Sequence, residues 1–246
     1  MANLERGTGR LSRVTAVCGR FGSGKTEIAI NYALALAREA RPYLIDLDVV
    51  TPYFRTREKA QALARQGVTV IAPAEVAANL DTPGITPEIL GAIQQTAQPV
   101  VLDVGGDKQG ARALGQYSPY LRARGCEVWF VVNPFRPFTR DLAGIRQSIA
   151  EIEAGSRLQV SALVSNPNLM GETDAELVVR GHRVVEEASA ALGIPIAFVA
   201  VERSLLPQIS DGRLSREVLP LTLYLRPPWG KSPPIPAPLI PPDAGP

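Results

Sequence analysis

The residues Gly19-Arg20-Phe21-Gly22-Ser23-Gly24-Lys25-Thr26 match the spacing G-x-x-x-x-G-K-[ST] in full. Each residue type has a physical task in that pattern. The glycines let the backbone wrap closely around a phosphate chain, and the loop N–H groups with the following helix N-terminus supply positive dipole ends. Lys25 reaches the terminal phosphates and Thr26 ligates magnesium. Such a loop needs a strand before it and a helix after it, and the sequence supplies both. The chemistry indicated is binding of a nucleoside triphosphate.

Two further stretches bring carboxylates. In Leu44-Ile45-Asp46-Leu47-Asp48, the two-residue spacing predicts that Asp46 and Asp48 point to one side of a strand end. Two like charges so placed call for a cation, which magnesium and the water that attacks a γ-phosphate would explain. In Val100-Val101-Leu102-Asp103-Val104-Gly105-Gly106-Asp107, an apolar strand delivers Asp103 to the same edge as a second magnesium-directed acid. Gly105 and Gly106 allow the backbone to approach the γ-phosphate and to change conformation when it leaves.

The elements that must position these residues are legible from hydrophobic pattern. Strands are read at Val14 to Cys18, Tyr43 to Asp46, Val68 to Ala72, Val100 to Leu102, Glu127 to Val132, Gln159 to Ser165, Ile196 to Val201 and Leu221 to Leu225. Helical segments fill the gaps, with start signals at Thr86-Pro87 and at the capping box Thr173-x-x-Glu176. The alternation predicts an α/β fold: a doubly wound, mostly parallel sheet of seven to eight strands flanked by helices, with ligands beyond the carboxyl ends of the strands. Residues 13–226 form the expected domain, after a flexible N-terminus over 1–12. Nine of the 22 prolines fall in the last twenty residues, so 227–246 reads as an extended Pro-rich tail.

Composition narrows the function. The 26 Lys and Arg nearly balance the 24 Asp and Glu, which gives no basic footprint for nucleic acid. No apolar run is long enough to cross a bilayer and no signal peptide opens the chain, so a cytoplasmic location is expected. Cys18 and Cys126 are too far apart in sequence for a C-x-x-C site. His182 has no second His or Cys at ligand spacing and is not read as a metal ligand. Arg55, Arg57, Arg136 and Arg140 could contact an anionic partner, but with no long basic run a solvated face is the favoured reading.

From Val14 to about Leu206 these motifs resemble the MinD/ParA/CobQ-CobB branch of SIMIBI-type P-loop ATPases. The resemblance implies that Asp48 orients the attacking water with Asp46 as its neighbour, that Gly106 senses the γ-phosphate, and that Asp103 and Asp48 join Thr26 around magnesium. It also implies that Asn166, in Leu163-Val164-Ser165-Asn166-Pro167, belongs to the base-reading segment. The absence of N-K-x-D favours ATP over GTP. Many relatives carry a Lys that crosses a dimer to the partner's phosphates; here that position is Arg20, which either acts in trans or lies solvated.

The expectation is a slow Mg-ATPase, a nucleotide-dependent switch that forms an ATP-dependent homodimer and engages a protein partner, away from membranes and nucleic acid. One alternative is a carboxylate ligase similar to dethiobiotin synthetase, with Tyr53, Phe54 and Arg55 as pocket candidates. Another is a ParA-like DNA-partitioning module, disfavoured by the near-neutral charge.

Overall fold

The computed structural model describes residues 14–48, 60–71, 85–95, 97–209, 212–214 and 216–225. The eight strands form one sheet in the order β3-β2-β4-β1-β5-β6-β7-β8, and every pairing is parallel. They are β1 (Val14–Gly19), β2 (Tyr43–Asp46), β3 (Thr69–Ile71), β4 (Val100–Asp103), β5 (Glu127–Val132), β6 (Ala162–Ser165), β7 (Ile196–Glu202) and β8 (Val218–Leu221). The helices are α1 (Lys25–Leu36), α2 (Ala60–Ala64), α3 (Pro87–Gln94), α4 (Lys108–Gln116), α5 (Ser118–Ala123), α6 (Leu142–Ser156) and α7 (Ala175–Leu192). Among the described residues no helix is long and apolar enough to cross a membrane.

Alternation along the central strands divides the core in two. Val14, Ala16 and Cys18 of β1 face one side with Leu102 and Phe130, under Ile93 of α3, Leu114 of α4, Ile149 of α6 and Val185 of α7. Val17, Val101 and Val131 face the other, under Ile28, Ile30 and Tyr32 of α1. Both faces being covered is why the central strands read as unbroken apolar runs. On the α1 side Trp129 packs between Tyr32, tilted at 59°, and Phe198, edge-on at 80°, with ring centroids 4.6 and 5.3 Å away, and its indole N–H donates to Glu127.

The strand expectations hold in full for β2 and β5, fall one residue short at the ends of β1, β4 and β7, and need correction at β3, β6 and β8. β3 spans Thr69–Ile71, and Ala72 lies outside the described residues. β6 begins at Ala162 rather than Gln159, because the preceding residues turn back on the end of α6: Leu158 N–H donates to Ser156 Oγ and Val160 N–H to Glu153 Oε1. β8 lies upstream of its expected place, at Val218–Leu221. The extended residues after it donate to α1 instead of to a strand. Thr222 exchanges two bonds with the Asn31 amide, and Tyr224 and Leu225 N–H groups both reach the Glu27 carboxylate.

Pro87 occupies the first turn of α3 after Thr86, as its sequence indicates. The cap of α7 is shifted by one residue: Asp174, not Thr173, accepts from Leu177 N–H at 2.7 Å. Thr173 Oγ1 is engaged with Leu169 N–H and Met170 O, and Glu176 reaches Arg213 instead of closing a capping box. The segments 1–12 and 227–246 and the residues Tyr53, Phe54, Arg55 and Arg57 lie outside the described residues.

Candidate functional site

β1 lies at the centre of the sheet, between β4 and β5, where the chain reverses its direction of winding. That point leaves a crevice beyond the carboxyl ends of the strands. The loop from Gly19 to Gly24 fills it and enters α1 at Lys25. Gly24 stands at φ +89°, and a Cβ there would collide with the Asn166 side-chain amide. Lys25 is 7% exposed, and its ammonium donates to the Arg20 carbonyl at 3.3 Å, inside the loop it closes.

Three aspartates approach from the β2–β4 flank. Asp46 and Asp103 are register partners on adjacent strands, 2% and 1% exposed. Asp48 stands beyond the end of β2, half-exposed, and its N–H donates to Asp46 Oδ1 at 3.0 Å. The pair expected on one strand face is thus split into a buried and a more open carboxylate. Burial, reinforced by the charge of Asp46, pushes Asp103 from its ordinary 3.8 up to about 8, while Lys25 and the Thr26 hydroxyl pull it down. Neither Asp103 oxygen has a hydrogen bond of full geometry among the described residues.

A buried carboxylate left in that condition fits a site for a divalent cation. Among the described residues no three His, Cys, Asp or Glu side chains form a metal cluster. Magnesium does not require one, since it keeps waters and phosphate oxygens around one or two protein ligands. Thr26 and Asp103 suit that role, and Asp48 lies close by on the Gly105 side: its Oδ1 would stand 3.3 Å from a Cβ at Gly105.

The loop after β4 presses against the phosphate loop. A Cβ at Gly106 would meet Phe21 N at 2.7 Å and Lys25 Nζ at 2.9 Å. Only glycine allows the backbone of residue 106 to lie so close to both. Asp107 then caps α4 by accepting from Gly110 N–H at 2.8 Å.

The β5–β6 flank is built differently. Arg20 is neither solvated nor directed outward. Its Nε donates to Ser148 Oγ at 2.9 Å, its Nη2 to Glu151 Oε2 at 2.8 Å, and its guanidinium lies 5.3 Å from the Phe138 ring centroid. Arg20 holds the Glu151 carboxyl below its ordinary range. Asn166, at the end of β6, donates from Nδ2 to the Ser23 carbonyl at 2.7 Å and is buried over the loop. The structure therefore joins Gly19 to Thr26, Asp46, Asp48, Asp103, Gly106 and Asn166 in one place and ties Arg20 back to α6.

One residue at this site was placed elsewhere by the sequence reading, and others escaped it. Arg136 donates from Nε to the Gly22 carbonyl at 3.2 Å, so it does not belong to a merely solvated face. Ser148 and Glu151 hold Arg20, and Asn133 organises the β5–α6 connection. The Asn-Pro-Phe-Arg-Pro-Phe-Thr run after β5 carries a turn signal that could have pointed to that connection. His182 is buried, with Nδ1 3.0 Å from Ser165 Oγ, and burial lowers its pKa. Cys18 is buried in the core.

No family model and no curated protein matches the sequence. Solved structures do resemble it. FtsY from Thermotoga maritima aligns at 22% identity and a TM-score of 0.54, over 77% of this chain and 61% of that one. Chloroplast FtsY from Physcomitrella patens aligns at 18% and 0.54, over 88% and 64%. FtsY from Elizabethkingia anophelis in complex with GDP aligns at 18% and 0.52, over 80% and 59%. The chain thus spans about three fifths of the length of these FtsY proteins. At such identities the likeness speaks for the fold, and together with the loop geometry it gives this chain the α/β fold of the P-loop nucleoside triphosphatases.

Proposed function

We propose that the protein is a nucleoside-triphosphate-dependent switch of the MinD/ParA/CobQ type that binds Mg-ATP, hydrolyses it slowly and engages a protein partner as an ATP-dependent homodimer. The observation that carries the reading is the close approach of the Gly106 backbone to the loop, where a Cβ would stand 2.7 Å from Phe21 N and 2.9 Å from Lys25 Nζ. A backbone packed that closely on the phosphate-binding groups must respond when a γ-phosphate arrives or leaves, and that response can change affinity for a partner. Lys25 and the loop amides offset phosphate charge. Asp48, more open than Asp46, would accept a hydrogen bond from an attacking water and orient it. Magnesium held by Thr26 and Asp103 would supply charge stabilisation at the phosphates.

ATP is preferred here because Asn166 is followed by Pro167-Asn168-Leu169 rather than by the Lys and Asp of N-K-x-D. The GDP complex of an FtsY protein makes GTP the necessary competitor in any test. Calorimetric titration with Mg-ATP and Mg-GTP decides the base; tighter GTP binding would correct the nucleotide and keep the switch. The switch itself is tested by light scattering of Asp48→Ala with Mg-ADP and then with Mg-ATP. A doubled mass with ATP alone is expected, and an unchanged mass in both would remove the dimer.

A further inference from the structure

Two arginines meet the phosphate loop, and the fold treats them differently. Arg20 belongs to the loop, but Ser148, Glu151 and the Phe138 ring hold its guanidinium, and Glu151 neutralises its charge. Arg136 comes from the connection between β5 and α6. Its Nε donates to the Gly22 carbonyl, and its half-buried guanidinium lies along the loop: a Cβ at Gly22 would stand 3.3 Å from Nε and 3.6 Å from Cζ. Among the described residues no carboxylate lies within ion-pair distance of Arg136.

The connection holds Arg136 from several sides. Arg136 N–H donates to Asn133 O at 3.1 Å, and Thr139 N–H returns to Arg136 O at 3.0 Å. Thr139 Oγ1 donates to Asn133 O at 2.6 Å, while Asn133 Oδ1 accepts from Phe135 and Asn168 N–H groups. The backbone of residue 136 is thus fixed before any ligand arrives, and the Nε bond to Gly22 O restricts its side chain, so part of the ordering cost is already met. One edge of the guanidinium is used on the loop, and the Nη groups keep the donors and charge that match phosphate oxygens.

We propose that Arg136 is a phosphate-binding residue of this site: Nε keeps the Gly22 carbonyl turned away from the anion, and the Nη groups give the polyphosphate a second cation beside Lys25. A carbonyl turned inward would repel the anion, so pinning it outward favours N–H groups facing the phosphates. The inference rests on the reading of the loop as a nucleotide site, and it moves the second phosphate-binding cation from Arg20 to Arg136.

The test uses the full chain and the variants Arg136→Gln and Arg136→Lys, with calorimetric binding of Mg-ATP, Mg-GTP and inorganic tripolyphosphate at low and high salt. Gln retains a donor for the Gly22 carbonyl without charge; Lys retains the charge. Arg136→Gln is expected to weaken tripolyphosphate and nucleotide binding by about tenfold or more, with a smaller salt dependence and an unchanged melting temperature. Arg136→Lys is expected to recover much of the loss. Binding by Arg136→Gln at the wild-type level, or a loss that follows a fall in melting temperature, would overturn the proposal while leaving the nucleotide site intact. A wild-type protein that binds neither ATP nor GTP would remove that site reading, and this inference with it.

Discussion

The two flanks of the phosphate loop differ in how their polar groups are satisfied. On the β5–β6 side, Arg20 has Ser148 and Glu151, Arg136 has Gly22, Asn166 has Ser23, and Asn133 joins Phe135 to Asn168. On the β2–β4 side, Asp103 is buried beside Asp46 without a hydrogen bond of full geometry, and glycine backbone lies against the loop. A satisfied network holds its geometry, whereas a buried carboxyl without a full hydrogen bond, kept protonated by burial, raises the free energy of the empty site. On the proposed nucleotide reading, and apart from Arg136, the contrast assigns shape to one flank and the response to ligand to the other.

The largest expected effect tests the charge that serves both flanks. Lys25→Met is expected to lower Mg-nucleotide affinity by about 100-fold or more, measured by calorimetry. Asp103→Asn sharpens the contrast by moving two properties in opposite directions. Hydrolysis should fall by about 100-fold, while the nucleotide-free protein should melt a few degrees higher, by roughly 2–4 °C per kcal/mol relieved. The pH dependence follows from the raised Asp103. Between its ordinary 3.8 and about 8 the folded protein keeps a proton that the unfolded chain releases. Stability of the empty protein should therefore fall as pH rises through that window, and Asp103→Asn should flatten the decline.

On the other flank, Arg136 apart, the expected effects are structural. Asn166→Ala leaves the Ser23 carbonyl without its 2.7 Å donor and should cost about 1–3 kcal/mol in denaturant unfolding. Glu151→Gln is the smallest, under about 1 kcal/mol, because the pair with Arg20 is partly open to water. A Glu151→Gln protein of unchanged stability whose hydrolysis dropped about tenfold would break the division of labour, since the scaffold flank would then be steering the chemistry.

The central strands and the residues within the phosphate motif were legible because their signals are local: apolar runs, glycine spacing, a terminal aspartate. What was not legible depends on partners far along the chain. Leu221-Thr-Leu-Tyr-Leu reads as a strand by composition, yet its later N–H groups are taken by Asn31 and Glu27, nearly two hundred residues earlier. The state of Arg20 is decided by Glu151, and Arg136 finds Gly22 only after β5 has docked beside β1. The early cap of α7 fails for a nearer reason, because Asp174 competes with Thr173 for the same helix end.

The clasp between α1 and the residues after β8 has a consequence for biosynthesis. The phosphate loop and its helix leave the ribosome early, but the bonds from Thr222, Tyr224 and Leu225 to Asn31 and Glu27 can form only after almost the whole domain has been translated. Glu27 directly follows Thr26, so the first turn of α1 is clasped by the residues after the last strand. A nascent chain halted before residue 222 would carry the full phosphate motif while α1 still lacked that clasp.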